Sequence, residues 1–143
     1  MNNNDFIELI KTIDLNVIQP LKVEYERKND ISQTDNNINL HWSMKFPENT
    51  FEIIDNKLLQ LYPMFEVDIS CKDKVIYSHR AIIGISFEIN DFSLFEKKWK
   101  DEKIQEIFRN KQVLKLVWPF FRQQVSDGLS RVGLPTIALP LVV

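Results

Sequence analysis

From Ile7 to Tyr25 apolar and polar side chains take turns. Ile7, Leu9, Ile13, Leu15, Val17, Leu21, Val23 and Tyr25 hold odd positions; Glu8, Thr12, Asp14, Asn16, Lys22, Glu24 and Glu26 hold even ones. A period of two puts each set on one face of a strand, one buried and one wet. Lys11 and Gln19 interrupt the apolar set. Pro20 has no N–H to give a ladder, so it predicts an edge position or a bulge.

Residues 27–37, RKNDISQTDNN, are polar and turn-rich and read as an exposed loop. Ile38, Leu40, Trp42, Met44 and Phe46 alternate again up to Pro47-Glu48, and 51–54 reads as a short strand. Phe65, Val67, Ile69 and Cys71 alternate with Glu66, Asp68, Ser70 and Lys72, the pattern of a half-wet strand. After a polar turn, Val75, Tyr77, Ala81, Ile83, Ile85, Phe87 and Ile89 mark the next one, and the two form a predicted hairpin.

From about Asn90 the period becomes helical. Asp101 opens a short amphipathic helix with Ile104, Ile107 and Phe108 on one side. A longer helix is predicted from about Lys111 to Arg131, where Val113, Val117, Phe120, Phe121, Val125, Leu129 and Val132 recur at steps of three and four. Pro119 predicts a break or restart within it, and Gly133 and Pro135 a stop. Strands followed by helices indicate an α+β fold: a four-stranded antiparallel sheet with two helices packed on one face. At 143 residues, with no repeat and no Gly/Ser-rich linker, residues 1–143 are expected to form one domain.

Composition narrows the chemistry. Eighteen basic and 20 acidic residues leave a formal charge of −2, which provides no drive toward nucleic acid. The basic stretch from Phe95 to Arg109 has acids mixed in and reads as a solvated helix face. MNNNDF lacks the features of a signal peptide, and no apolar run reaches the roughly 18 residues of a membrane span, so no membrane insertion is expected. The single cysteine cannot form an internal disulfide, which fits a reducing cytoplasm.

Two His and one Cys make no metal site or nucleophilic triad. Cys71 falls on an apolar strand face, as a small buried hydrophobe would. His79 shares the apolar parity of its strand, and His41 has no partner at zinc-like spacing. Asp14 and Glu66 sit on wet strand faces, and no glycine-rich phosphate loop occurs. No cofactor, metal or enzymatic activity is therefore expected.

The surplus lies elsewhere. Leu40, Trp42, Met44, Phe46, Phe51, Leu58, Leu59, Leu61, Tyr62 and Met64 fall between strands or at their ends. Connecting segments usually face water, so these residues either cover one end of the core or line an adaptable apolar groove.

The chain from Trp118 to Val143, WPFFRQQVSDGLSRVGLPTIALPLVV, resembles the end of the core of the SecB family of export chaperones. There a P-[YF]-x-R stretch starts the main helix, S-R-G-x-[FL]-P ends it and x-L-x-L-x-P follows. Pro119, Phe120, Arg122, Ser130, Arg131, Leu134, Pro135, Ile137, Leu139 and Pro140 stand at the matching positions. Asp14 to Pro20 is similar to the family's D-[IL]-S-F-E-x-P, Pro47-Glu48 to its W-x-P-E, Phe65-Glu66-Val67 to its Y-E-V and Gly84 to Phe87 to its Q-G-I-F.

The resemblance implies an ATP-independent holdase, a tetramer built as a dimer of dimers that holds unfolded polypeptides in apolar grooves. The implied groove residues are Trp42, Met44, Phe46, Phe51, Leu61, Tyr62, Met64, Phe120 and Leu129. The family's SecA-docking positions correspond to Asp14, Ile18 and Arg80, with a neighbouring apolar position at Ser78. Of the three, only Asp14 keeps a carboxylate; the Arg reverses the sign of the contact. The family usually continues into a further helix and a SecA-contacting tail, for which residues up to Val143 offer no match. A general or antitoxin-specific holding role is thus expected ahead of SecA-coupled export, with a preprotein or an antitoxin as the client. The alternative is a structural or interaction protein that has the fold without general client binding.

Overall fold

The computed structural model describes residues 3–29, 38–47, 51–135, 137 and 139. The chain begins with helix α1 (Asn3–Ile10), followed by strands β1 (Ile13–Arg27), β2 (Ile38–Lys45), β3 (Glu52–Ile54), β4 (Leu58–Leu61), β5 (Met64–Cys71) and β6 (Lys74–Ile89). Helices α2 (Phe92–Trp99) and α3 (Glu102–Ile107), a π-helical stretch (Phe108–Val113) and α4 (Leu114–Arg131) complete it. The expected loop lies mostly outside the described residues at 30–37, as do Glu48 and Pro140.

The class is α+β with an antiparallel sheet, as the pattern implies, and it has six strands where four were expected. The strands still lie in four rows. β6 is paired along one edge by β1 and along the other by β5 and then β4. Outside those two lie β2 on β5 and β3 on β4. The rows break at the same place because Tyr62-Pro63 interrupts the ladder; Pro63 has no N–H, and its carbonyl instead accepts from Ile83.

Three expectations need correction. First, residues 7–10 belong to a helix: Phe6, Leu9, Ile10 and Ile13 also fit a step of three or four, and this packing wins. Leu9 is fully buried, Thr12 Oγ1 donates to the Leu9 carbonyl at 2.6 Å, and Lys98 Nζ of α2 reaches Asp5 at 2.9 Å and Glu8 at 2.8 Å. Second, the odd parity of β1 is not one face. Bulges at Asn16 and Leu21 each reverse the alternation, so Ile13 and Leu15 share a side with Ile18, Pro20, Val23 and Tyr25. Pro20 does border a bulge. Third, α4 runs unbroken through Pro119. The missing bond to Lys115 costs about 3 kcal/mol in a helix interior. Burial of Val117, Trp118, Phe121 and Val125 offsets it. The irregularity falls upstream, in the π-helical stretch, whose wider turn lets Phe108 and Val113 both enter the core.

The core lies between one sheet face and the helices. Phe65, Val67 and Ile69 of β5 and Tyr77, Ala81, Ile83, Ile85 and Phe87 of β6 meet Phe108, Val117, Phe121, Val125 and Leu129. α4 passes close over β6 at Gly128, where a Cβ would collide with the Tyr77 hydroxyl.

Candidate functional site

On β2 the residues opposite the core positions of β5 are Leu40, Trp42 and Met44, which face Ile69, Val67 and Phe65 in register. β2 is an edge row, so this apolar side is only partly covered. Trp42 keeps 36% of its surface, while Leu40, Met44 and the following Phe46 are half-buried. The helix layer closes over it at one point, where the Trp42 and Trp118 rings meet with centroids 4.5 Å apart. Phe51 continues the strip, set edge-on to Trp99 at 5.2 Å. Arg109 of the π-helical stretch lies over the Phe46 ring, 6.0 Å from its centroid. The result is an apolar seam between the sheet edge and the helices, half open to solvent, with an adaptable Met and three aromatic rings.

Four of the nine implied groove residues, Trp42, Met44, Phe46 and Phe51, come together in this seam. The others do not. Leu61 and Leu129 are fully buried within the core and present nothing to a client. Met64 alternates with the core residue Phe65 and so lies on the helix-free face of the sheet. Tyr62 joins a shallow depression of about 310 Å³ there, with Val17, Leu21 and Gly84. Its hydroxyl donates to Gln60 Oε1 at 2.7 Å; burial first, and then the Glu52 carboxylate, raise its pKa. Phe120 points away from the sheet and is 52% exposed. The seam residues missed in sequence are Trp118 and Arg109. Trp118 occurs one position after Val117 in the helical repeat, where a wheel places it at the margin of the buried stripe.

The implied partner face also divides. Asp14, Ser78 and Arg80 lie on the helix-free face, but the bulge at Asn16 turns Ile18 to the helix side, opposite Ile85. Asp14 pairs with Glu88, eight residues along β6 from Arg80 or about 26 Å. Asn90 Nδ2 donates to the Asp14 carboxylate at 3.2 Å, Ser78 Oγ donates to Asp68 at 2.6 Å, and Arg80 lies 3.8 Å from Glu66.

Exposed apolar residues also stand out on β1, on both of its faces. Leu15 (49% exposed) and Val23 are open on the helix side, Val17 and the bulge residue Leu21 (51%) on the helix-free side, and Ile7 of α1 is exposed as well. β1 pairs with β6 alone among the described strands, and its outer edge carries no described partner.

His79 is enclosed. Tyr25 stacks on its ring at 5.7 Å, Phe121 meets it edge-on at 5.5 Å, and Nδ1 is 2.7 Å from the Tyr77 hydroxyl. Burial lowers its pKa to about 4, opposed only in part by the neighbouring Gln124 side chain, so the imidazole is neutral. It joins β6 to α4 within the core. Among the described residues no group of His, Cys, Asp and Glu is arranged to hold a metal ion, and no helix is long and apolar enough to cross a membrane.

No protein-family model matches the chain, and no curated protein matches it. Among solved structures it is similar to the Mycobacterium tuberculosis SecB-like chaperone Rv1957, in complex with a ChAD peptide from the Rv1956 HigA1 antitoxin. The TM-score is 0.76 over 97% of each chain, at 11% identity. The likeness is one of fold, and the chain has the SecB-like fold.

Proposed function

We propose that this protein is an ATP-independent chaperone that holds non-native polypeptide, and that it performs no bond chemistry. The observation that carries the reading is the seam of Leu40, Trp42, Met44, Phe46 and Phe51, left half open on a fold shared with a peptide-bound SecB-like chaperone. An unfolded segment laid along it would bury apolar surface at about 25 cal/mol per Å², offset in part by the ordering of the client. Area burial reads little sequence, which suits a holdase.

The exposed apolar residues of β1, together with its unpaired outer edge among the described strands, support a second contact, between copies of the chain, and hence a homo-oligomer, a tetramer by analogy with the fold. The cytoplasm is the proposed compartment. An antitoxin is favoured over SecA-coupled export. The peptide carried by the similar structure supports this, as does the scatter of Asp14, Ile18 and Arg80 over two faces. The helix-free face would otherwise have to present them together.

Refolding arrest tests the reading. A slow-folding protein is diluted from denaturant into rising amounts of this chain without nucleotide, with the same protein added already folded as control. Arrest should saturate at a fixed molar ratio, and the folded control should not bind. Unimpeded refolding in the presence of excess chain would leave a structural or interaction role in its place.

A further inference from the structure

Charge along the seam is one-sided. Trp118 of α4 meets Trp42, and the positions three before and four after it, Lys115 and Arg122, share that flank of the helix. Lys111 lies one turn further back, and Arg109 sits over Phe46 at the seam's end. From Phe108 to Ser126 the chain holds these four cations and no Asp or Glu. The opposite wall, β2, reads INLHWSMK and has no carboxylate either; its Lys45 pairs with Met64 and lies on the helix-free face. A chain with a formal charge of −2 therefore flanks its most apolar open strip with an excess of positive charge. Glu106 enters only at the far end, where it shares a shallow depression with Lys111.

These cations are also unspent. The ion pairs among the described residues engage Lys22, Arg80, Lys98 and Lys100, on other surfaces. Arg109, Lys111, Lys115 and Arg122 form none there. Arg122 Nε is buried with no hydrogen-bond partner, a donor that lacks an acceptor where the helix meets the seam.

We propose that the seam selects extended polypeptide segments in which carboxylates stand beside the apolar side chains. This rests on the chaperone reading and names its client class. Apolar side chains of the segment cover Trp42 and Met44. Its carboxylates lie along the α4 flank, accept hydrogen bonds from Lys111, Lys115 and Arg122, and speed encounter through the field of the flank. Single-stranded nucleic acid also combines anions with stacking surfaces. It would need a series of exposed rings, whereas in this seam only the Trp42 indole is exposed, and Phe46 and Phe51 are half-buried like Leu40 and Met44.

The test uses three fluorescent unfolded peptides that share one apolar pattern and carry Glu, Gln or Lys at the intervening positions, with a thymidine oligonucleotide beside them. Binding to the full chain is read by anisotropy at low and high salt. The Glu peptide should bind roughly tenfold more tightly than the Gln peptide and the Lys peptide least, with the gap closing as salt screens the flank. Changing the exposed Lys111→Glu and Lys115→Glu together should reverse the ranking, with the unfolding curve unchanged. Equal affinities for the three peptides would overturn the proposal and leave the chaperone reading in place. Binding of none would overturn both. An unchanged ranking in the double variant would move acid recognition elsewhere, and tighter binding of the oligonucleotide than of the Glu peptide would make the flank a nucleic-acid surface; either result overturns the proposal.

Discussion

The two edges of the sheet carry the same kind of sequence and meet different fates. β1 and β2 both send apolar side chains to the helix side. On β2 the row is partly covered, with Trp42 against Trp118 and Arg109 over Phe46. On β1 the cover is confined to the two ends: Ile13 is buried after α1, and at the other end Tyr25 stacks on His79 and Arg27 Nη1 donates to the Val132 carbonyl at 2.8 Å. Leu15 and Val23 stay open on the helix side, while Val17 and Leu21 turn to the helix-free face. One layer of helices is too narrow to cover four rows of strands. What it leaves bare on one edge suits a permanent partner, and what it half covers on the other suits a transient one.

That division predicts which changes unfold the protein and which alter only its contacts. The largest effect belongs to the covered centre. Phe121 is fully buried and stacks on Phe65 at 4.9 Å, so Phe121→Ala should lower unfolding free energy by about 3–5 kcal/mol. Urea denaturation reads this directly. A loss below 1 kcal/mol would mean that the covered centre does not hold the fold.

Acid should act on the same centre. His79 is neutral when folded, and its pKa falls from 6.5 to about 4, so the unfolded chain binds its proton more readily. The contribution is constant above pH 6.5, falls away as pH drops toward 4 and flattens below. Its full span is on the order of 3 kcal/mol. Unfolding midpoints measured from pH 7 to 4 should show this slope, and His79→Gln should flatten it. An identical slope in the variant would assign it to other groups.

The edges should respond separately. Leu15→Glu, on β1, should weaken self-association by roughly 2 kcal/mol, seen as a smaller species by light scattering, with the fold intact. Trp42→Glu, on β2, should leave the oligomer whole and reduce client affinity about tenfold, or roughly 1.4 kcal/mol. Opposite assignments, with Trp42→Glu dissociating the oligomer, would exchange the roles of the two edges. The smallest effect is on the helix-free face: Arg80→Ala removes an exposed contact to Glu66 and should change stability by less than about 1 kcal/mol in a thermal melt.

Legibility followed local constraint. The alternation of Phe65 to Cys71 and the repeat of Val117, Phe121, Val125 and Leu129 are read correctly because each element is covered on one side only, and its pattern records that side. The residues before Ile13 are misread because Leu9 and Ile13, four apart, satisfy both periods, and only packing against α2 separates them. Among the groove residues, the pattern identifies Trp42, Met44 and Phe46 as one row. It cannot tell that Leu61 and Leu129 are sealed in while Phe120 faces out, since all three are equally apolar and sit in apolar repeats.

From its amino-acid sequence alone this protein is an α+β chain with an antiparallel sheet, a closing helix and a surplus of apolar residues around positions 38–64. Those are properties of neighbours in the chain, where periodicity, proline and glycine act over a few residues. Tertiary structure alone decided the reversal of faces at the Asn16 and Leu21 bulges, the meeting of Trp42 with Trp118, and the bareness of β1. Each depends on which distant surface a side chain reaches, and that is settled by how far one layer of helices can extend over the sheet.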